Sequence, residues 1–361
     1  MTEKRPETTQ PFQEAWQEVR KTLDRLPNLT EEFLQNPADP SVGMTPREVV
    51  WKRGKFRLFR YPSQKMPTSP VPYFIVPWLG LSRSFVLDLL PGNSFIEFLV
   101  THGHEVYLLD WGEIDDEDKD IGFEDVVFKY IPKTIERILE VSKAKEVNLN
   151  GVCMGGMFTA SYLALNPDAP VKNAIFTVSP IDLEHGGLFK TWLDERYFPM
   201  DQIIRSGSFS ASQVGLGFKM LRPTGDLQAK TGLWLNMERK EYITMYKALN
   251  RWANEYIGMP ARLTVQLVRE LYSRNKLAKG EFALNGRHVD LSVIKLPVLT
   301  VAASQDHIVP PLSAKGLMDL ISSQDKEYVE LPGGHISVFA GRGAHRGLWP
   351  KVHEWVTQRS N

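Results

Sequence analysis

Short runs of apolar residues alternate along this chain with stretches whose apolar positions recur every three or four residues. The runs at 73–77, 105–109, 174–178, 296–302 and 327–331 have the length and the β-branched or aromatic content of buried strands. A further short strand is expected around Val147 and Leu149, which alternate with polar residues. Helical spacing marks 94–101, 123–142 and 312–322, and also the segment that carries Met157, Phe158, Tyr162 and Leu163. Strands alternating with helices predict an α/β protein, a mostly parallel sheet with helices on both faces. Residues 56–61 read as an edge strand outside that alternation.

The pattern changes twice. Phe12, Trp16, Val19 and Leu23 recur at helical spacing and predict an N-terminal helical arm over 1–43. Between 183 and 290 the alternation stops, and Tyr242, Met245, Tyr246, Leu249, Trp252 and Tyr256 follow one helical face. This segment is expected to be an inserted, mainly helical cap. The core is then read as two parts, 44–182 and 291–361.

Composition narrows the function classes. Lys plus Arg and Asp plus Glu balance at 43 each, so no bulk field draws the protein to nucleic acid or to an anionic membrane. The single cysteine among 361 residues leaves no intrachain disulfide and no multi-cysteine metal site, as suits a reducing compartment. The first residues lack the apolar stretch of a signal peptide, and no run reaches the length of a membrane span. The expectation is a cytoplasmic protein without a cofactor.

That cysteine sits in the most informative stretch, Val147-Asn-Leu-Asn-Gly-Val-Cys-Met-Gly-Gly-Met157. A strand passes into a helix at Cys153, with Gly151 and Gly155 two positions to either side, the pattern of a nucleophile elbow with sulfur replacing the hydroxyl. So sharp a turn strains the nucleophile's backbone and leaves no room for side chains at the flanking positions. The helix N-terminus favours the thiolate, and the Met154 N–H points where an oxyanion would form. The loop 78–82, after the strand at 73–77, is expected to supply the second oxyanion N–H.

The two last predicted strands end in Ser304-Gln-Asp-His307 and Pro332-Gly-Gly-His335. Asp306 and His335 therefore follow the carboxyl ends of parallel strands, where open α/β sheets place their ligand sites. The order Cys153, Asp306, His335 is the nucleophile, acid, histidine order of the α/β-hydrolase triad, so the α/β-hydrolase fold with an inserted cap is the expected architecture. His335 would accept the thiol or substrate proton, and Asp306 would hold the ring's tautomer or take a proton itself. Three other motifs are set aside. Glu184-His-Gly-Gly187 resembles a lipase oxyanion motif but follows the elbow; His102-Gly-His104 lacks further metal ligands and reads as a surface turn; His345 and His353 read as structural or solvated.

Taken together, the chain resembles the catalytic subunits of polyhydroxyalkanoate synthases, those of class III and class IV most. The resemblance is carried by Gly151-Val-Cys-Met-Gly-Gly156, Val106-Tyr-Leu-Leu-Asp-Trp-Gly112, Leu87-Asp-Leu-Leu-Pro-Gly-Asn93, Arg196-Tyr-Phe198, Ser304-Gln-Asp-His-Ile-Val-Pro310 and Gly334-His335. It implies that Cys153 carries the acyl group, that His335 is the general base and that Asp306 assists the chain-end hydroxyl, with His307 at a recurrent family position. It also implies (R)-3-hydroxyacyl-CoA as substrate, 3-hydroxybutyryl-CoA first, and a second synthase subunit in a dimer or larger oligomer at the polymer granule surface. A thiol nucleophile suits this chemistry, because exchange between two thioesters preserves the activation of the acyl group. The same residues would also serve a cysteine-dependent thioesterase or esterase, and a non-catalytic granule scaffold would keep the fold without turnover.

Overall fold

The computed structural model describes residues 40–360 apart from 68 and 222, together with Gln17 and Arg20. The arm expected over 1–43 lies almost wholly outside these residues. Eight strands form the main sheet: β1 (Glu48–Arg53), β2 (Phe56–Tyr61), β3 (Tyr73–Val76), β4 (Val106–Asp110), β5 (Val147–Val152), β6 (Val171–Thr177), β7 (Val298–Ala303) and β8 (Lys326–Leu331). Their order is β1-β2-β4-β3-β5-β6-β7-β8. From β4 to β8 every neighbouring pair is parallel, and β2 runs antiparallel to both β1 and β4.

The edge lies one strand further out than the pattern suggests. β1 covers β2, with a bulge between Val49 and Trp51 and with Val49 52% exposed, so its residues show no inward and outward alternation to read. β5 departs in the other direction, since all six of its residues are buried. The side-chain carbonyls of its two asparagines are satisfied from β6: Asn173 donates to Asn148 Oδ1 at 2.7 Å and Thr177 donates to Asn150 Oδ1 at 3.0 Å.

The helices that fix the sheet's faces begin with α1 (Phe95–Thr101), whose N-cap Ser94 accepts from the Glu97 amide at 2.9 Å. α2 (Ile131–Ser142) follows a π-helical turn over Val126–Tyr130, next to Pro132, whose missing N–H interrupts the regular ladder. α3 (Met154–Leu165) is buried on every side, and this is why its sequence is apolar all round. The helix expected over 312–322 is instead two pieces, Pro311–Lys315 and Leu317–Leu320, parted at Gly316, where an added Cβ would come 2.5 Å from the Asp182 Cβ.

The segment 183–290 holds α4 (Gly187–Trp192), α5 (Met200–Ser206), α6 (Ala211–Leu221), α7 (Gly225–Leu235), α8 (Lys240–Trp252) and α9 (Ala261–Gln266). Compactness divides the chain into two units. One comprises 42–221 and 252–361 and carries the sheet; the other is built around 222–251. Within the second unit α7 and α8 lie so close that a Cβ on Gly232 would come 2.6 Å from the Tyr242 hydroxyl. In the first, α10 (Leu348–Arg359) buries Trp349 and Trp355.

Candidate active site

β5 delivers the backbone into a turn at Cys153 with φ 54° and ψ −126°, outside the regions an L-residue adopts freely. The neighbouring glycines show why the turn closes. A Cβ on Gly155 would lie 1.9 Å from the Val76 carbonyl oxygen at the end of β3, and one on Gly151 would lie 2.6 Å from the Gly156 Cα. The Cys153 amide donates to the Thr177 carbonyl at 2.9 Å, which pins the turn to β6. Met154 opens α3, so its N–H is one of the amides that a helix N-terminus leaves free for a ligand.

The ends of β7 and β8 bring up the partners. Asp306 Oδ1 accepts the amides of Ile308 and Val309, both at 2.8 Å, while Oδ2 lies 2.6 Å from His335 Nδ1. His335 and Asp306 are 6% and 5% exposed, a desolvated pair. Burial alone would lower the imidazole's pKa, but the Asp306 carboxylate, then the nearby Cys153 sulfur, and the ring's hydrogen bond to Asp306 raise it to about 10. The ring is therefore held by the carboxylate through Nδ1 and lies near enough to the Cys153 sulfur to be influenced by it.

Cys153 and His335 open onto a cavity of about 270 Å³. Its walls come from the β3 loop at Trp78 and Leu81, from the segment 189–218 and from 252–272, all within the sheet-bearing unit. Apolar and aromatic side chains dominate. Tyr272 lines it too, and burial, followed by its proximity to Cys153 and Asp306, pushes the phenol's pKa up, so the hydroxyl stays a neutral donor. Among the described residues no group of three or more His, Cys, Asp or Glu is placed to hold a metal ion.

A family model described as the alpha/beta hydrolase fold matches residues 87–341. A soluble variant of Saccharomyces cerevisiae monoglyceride lipase superposes with a TM-score of 0.56 at 16% identity, covering 89% of this chain and 97% of that one. The Paleococcus ferrophilus monoacylglycerol lipase does so with 0.53 at 18%, covering 84% and 99%. At these identities the likeness is one of fold. The poly(3-hydroxyalkanoate) polymerase subunit PhaC of Allochromatium vinosum is 29% identical, across 91% of this chain and 93% of that protein. The PhaC subunit of Haloarcula marismortui is 31% identical, across 97% of this chain and 77% of that protein. The chain belongs to the PhaC family of poly(3-hydroxyalkanoate) polymerase subunits.

In this PhaC-family chain the three residues singled out by chain order, Cys153, Asp306 and His335, lie together. His307 is exposed and stands outside the cavity wall, where Ile308, Val309 and His335 take the positions around it. The reading of His102-Gly-His104 as a surface turn fails at His104, which is 1% exposed with its Nε2 2.8 Å from His353 Nδ1 on α10. Nothing in a short His-Gly-His motif announces a partner 249 residues away. The Glu184-His-Gly-Gly187 stretch is a turn capped by Asp182, which accepts the Glu184 amide at 3.0 Å. Sequence reasoning missed Tyr272, because it belongs to no motif and only the packing of 267–273 brings it to the cavity that Cys153 lines.

Proposed function

We propose that this chain polymerises 3-hydroxyacyl units from coenzyme A thioesters into polyester through an acyl group carried on Cys153. The observation that supports it above all is the His335 ring, paired with Asp306 through Nδ1 at 2.6 Å and sharing the wall of an apolar cavity with Cys153. Cys153 Sγ attacks the thioester carbonyl, the oxyanion is met by the Met154 N–H and an amide of the loop 78–82, and the carbon–sulfur bond to coenzyme A breaks. The departing thiolate takes its proton from the His335 imidazolium. In the second half, neutral His335 accepts the proton of an acceptor hydroxyl as its oxygen attacks the Cys153 thioester, forming the ester and restoring the ion pair. Loss of a thioester to an oxygen ester drives each addition. The apolar walls support polymerisation by keeping water, the competing acceptor, from the acyl group.

The polymerase reading carries the substrate class of the named relatives to this chain. Their designation as subunits supports a second chain as partner, with the enzyme acting as a dimer or higher oligomer in the cytoplasm at the granule surface. Among the described residues no helix is long and apolar enough to cross a membrane.

The test is incubation of the purified protein, alone and with candidate second subunits, with 3-hydroxybutyryl-CoA, following thiol release and insoluble polymer together. Both should appear with wild type and vanish in Cys153→Ala. Thiol release with soluble hydroxy acid and no polymer would overturn the polymerase reading in favour of a thioesterase.

A further inference from the structure

The cavity beside Cys153 exceeds what the smallest 3-hydroxyacyl unit needs. The side chain of a 3-hydroxybutyryl unit is a single methyl, whereas an engineered protein cavity of about 150 Å³ stays dry and accommodates benzene. The space here is about 270 Å³. With so few polar groups on its walls, water inside would lack partners, and an apolar occupant is the better match.

One wall is a face of α6. Val214, Gly217 and Phe218, spaced i, i+3 and i+4, all line the cavity, while Leu216 and Met220 face away and are exposed. A glycine inside a helix costs about 1 kcal/mol relative to alanine, so the two in this helix call for a reason. Gly215 has a steric one, since a Cβ there would sit 2.7 Å from the Tyr256 ring. Gly217 has none of that kind, because a Cβ would meet nothing within 4 Å. A methyl group at 217 would collide with no protein atom, and a longer side chain would extend it from the cavity face of the helix.

We propose that the cavity holds the side chain of the 3-hydroxyacyl unit on Cys153 and that Gly217 sets its depth, so that the enzyme accepts side chains of three carbons or more. This rests on the reading of Cys153 as the acyl carrier. The carrying observation is the coincidence of an oversized apolar cavity with a helix glycine whose missing side chain faces open space.

The experiment compares kcat/KM for 3-hydroxyhexanoyl-CoA and 3-hydroxybutyryl-CoA in wild type, Gly217→Ala and Gly217→Leu, with whichever second subunit supports turnover. Wild type should use the hexanoyl ester at least as well as the butyryl ester. The hexanoyl to butyryl ratio should fall about tenfold or more in Gly217→Leu, the scale on which apolar pockets discriminate methylenes, and by less in Gly217→Ala. A general folding defect would lower both substrates and leave the ratio alone. Should the leucine variant not fold, Gly217→Ala, which gains helix propensity, carries the test. Wild-type turnover of the butyryl ester alone, or a ratio unmoved by the folded variants, would overturn the proposal and leave the polymerase reading standing. Turnover of neither ester by wild type would remove both.

Discussion

Replacing Asp306 by Asn preserves the side chain's shape and removes its charge, and the hydrogen bonds around it predict the outcome. Oδ1 accepts two backbone amides at 2.8 Å, a role only an oxygen can fill, so the asparagine carbonyl must stay there and the NH2 must face His335 Nδ1. Nδ1 then has to accept, the ring's single proton moves to Nε2, and the nitrogen beside Cys153 can no longer take a proton from it. Charge acts separately. The carboxylate helps to hold the ring's pKa well above the ordinary value of about 6.5, so its loss should let the ring give up its proton at a lower pH. Loss of the equivalent carboxylate from a Ser-His-Asp triad lowers kcat by about 10⁴, and the same order is expected for acylation here. Single-turnover release of coenzyme A thiol measures that step, and an NMR titration of the His335 ring measures the charge effect. Acylation within tenfold of wild type, or an unmoved His335 titration, would refute the reasoning.

Acid stability should be governed in part by His104. Burial, then the neighbouring His353 and His102, hold its pKa down at about 4; His353 is itself shifted down, and Tyr73 packs on the ring's other side. The stability tied to neutral His104 is therefore full above about pH 6.5 and is lost as pH falls toward 4, about 2 kcal/mol by pH 5. Urea unfolding of wild type and His104→Phe across that range should show a shallower decline in the variant, and parallel declines would count against it. Gly155→Ala sets a Cβ against backbone atoms of Val76, which cannot rotate away, so β3 and the elbow must separate. A loss of about 1–3 kcal/mol in urea unfolding, together with loss of thiol release, is expected; an unchanged midpoint would mean that the elbow is not pressed on β3.

Much of the core was legible because its chemistry is local. The run of small residues around Cys153, the strand-end position of Asp306 and the late glycine pair before His335 each announce themselves within a few residues, and chain order does the rest. What escaped depended on distant partners. β1 gives no alternation because it lies exposed at the edge, and Asn148 and Asn150 look solvent-facing until the hydrogen bonds they accept from Asn173 and Thr177 on the neighbouring strand are seen. The burial of His104 is invisible in its own motif because its partner, His353, comes from the far end of the chain. Tyr272 and Gly217 lie in a segment without strand and helix alternation, where the pattern predicts helices but not which of their faces meets the cavity at Cys153.

The backbone at Cys153 sets folding against chemistry at a single residue. Any L-residue held at φ 54°, ψ −126° stays there at a cost on the order of 1–3 kcal/mol, met by the packing of β5, α3 and the end of β3 around it. A nucleophile is tolerated at that position because the rest of the domain leaves it no alternative. Glycine alone would sit there at ease, so Cys153→Gly exchanges turnover for a more relaxed turn, whereas alanine or serine keeps the strain of the native elbow. For capturing an intact acyl-CoA in the site, the inert protein that folds most readily is thus the one with no side chain where the acyl group would have been bound.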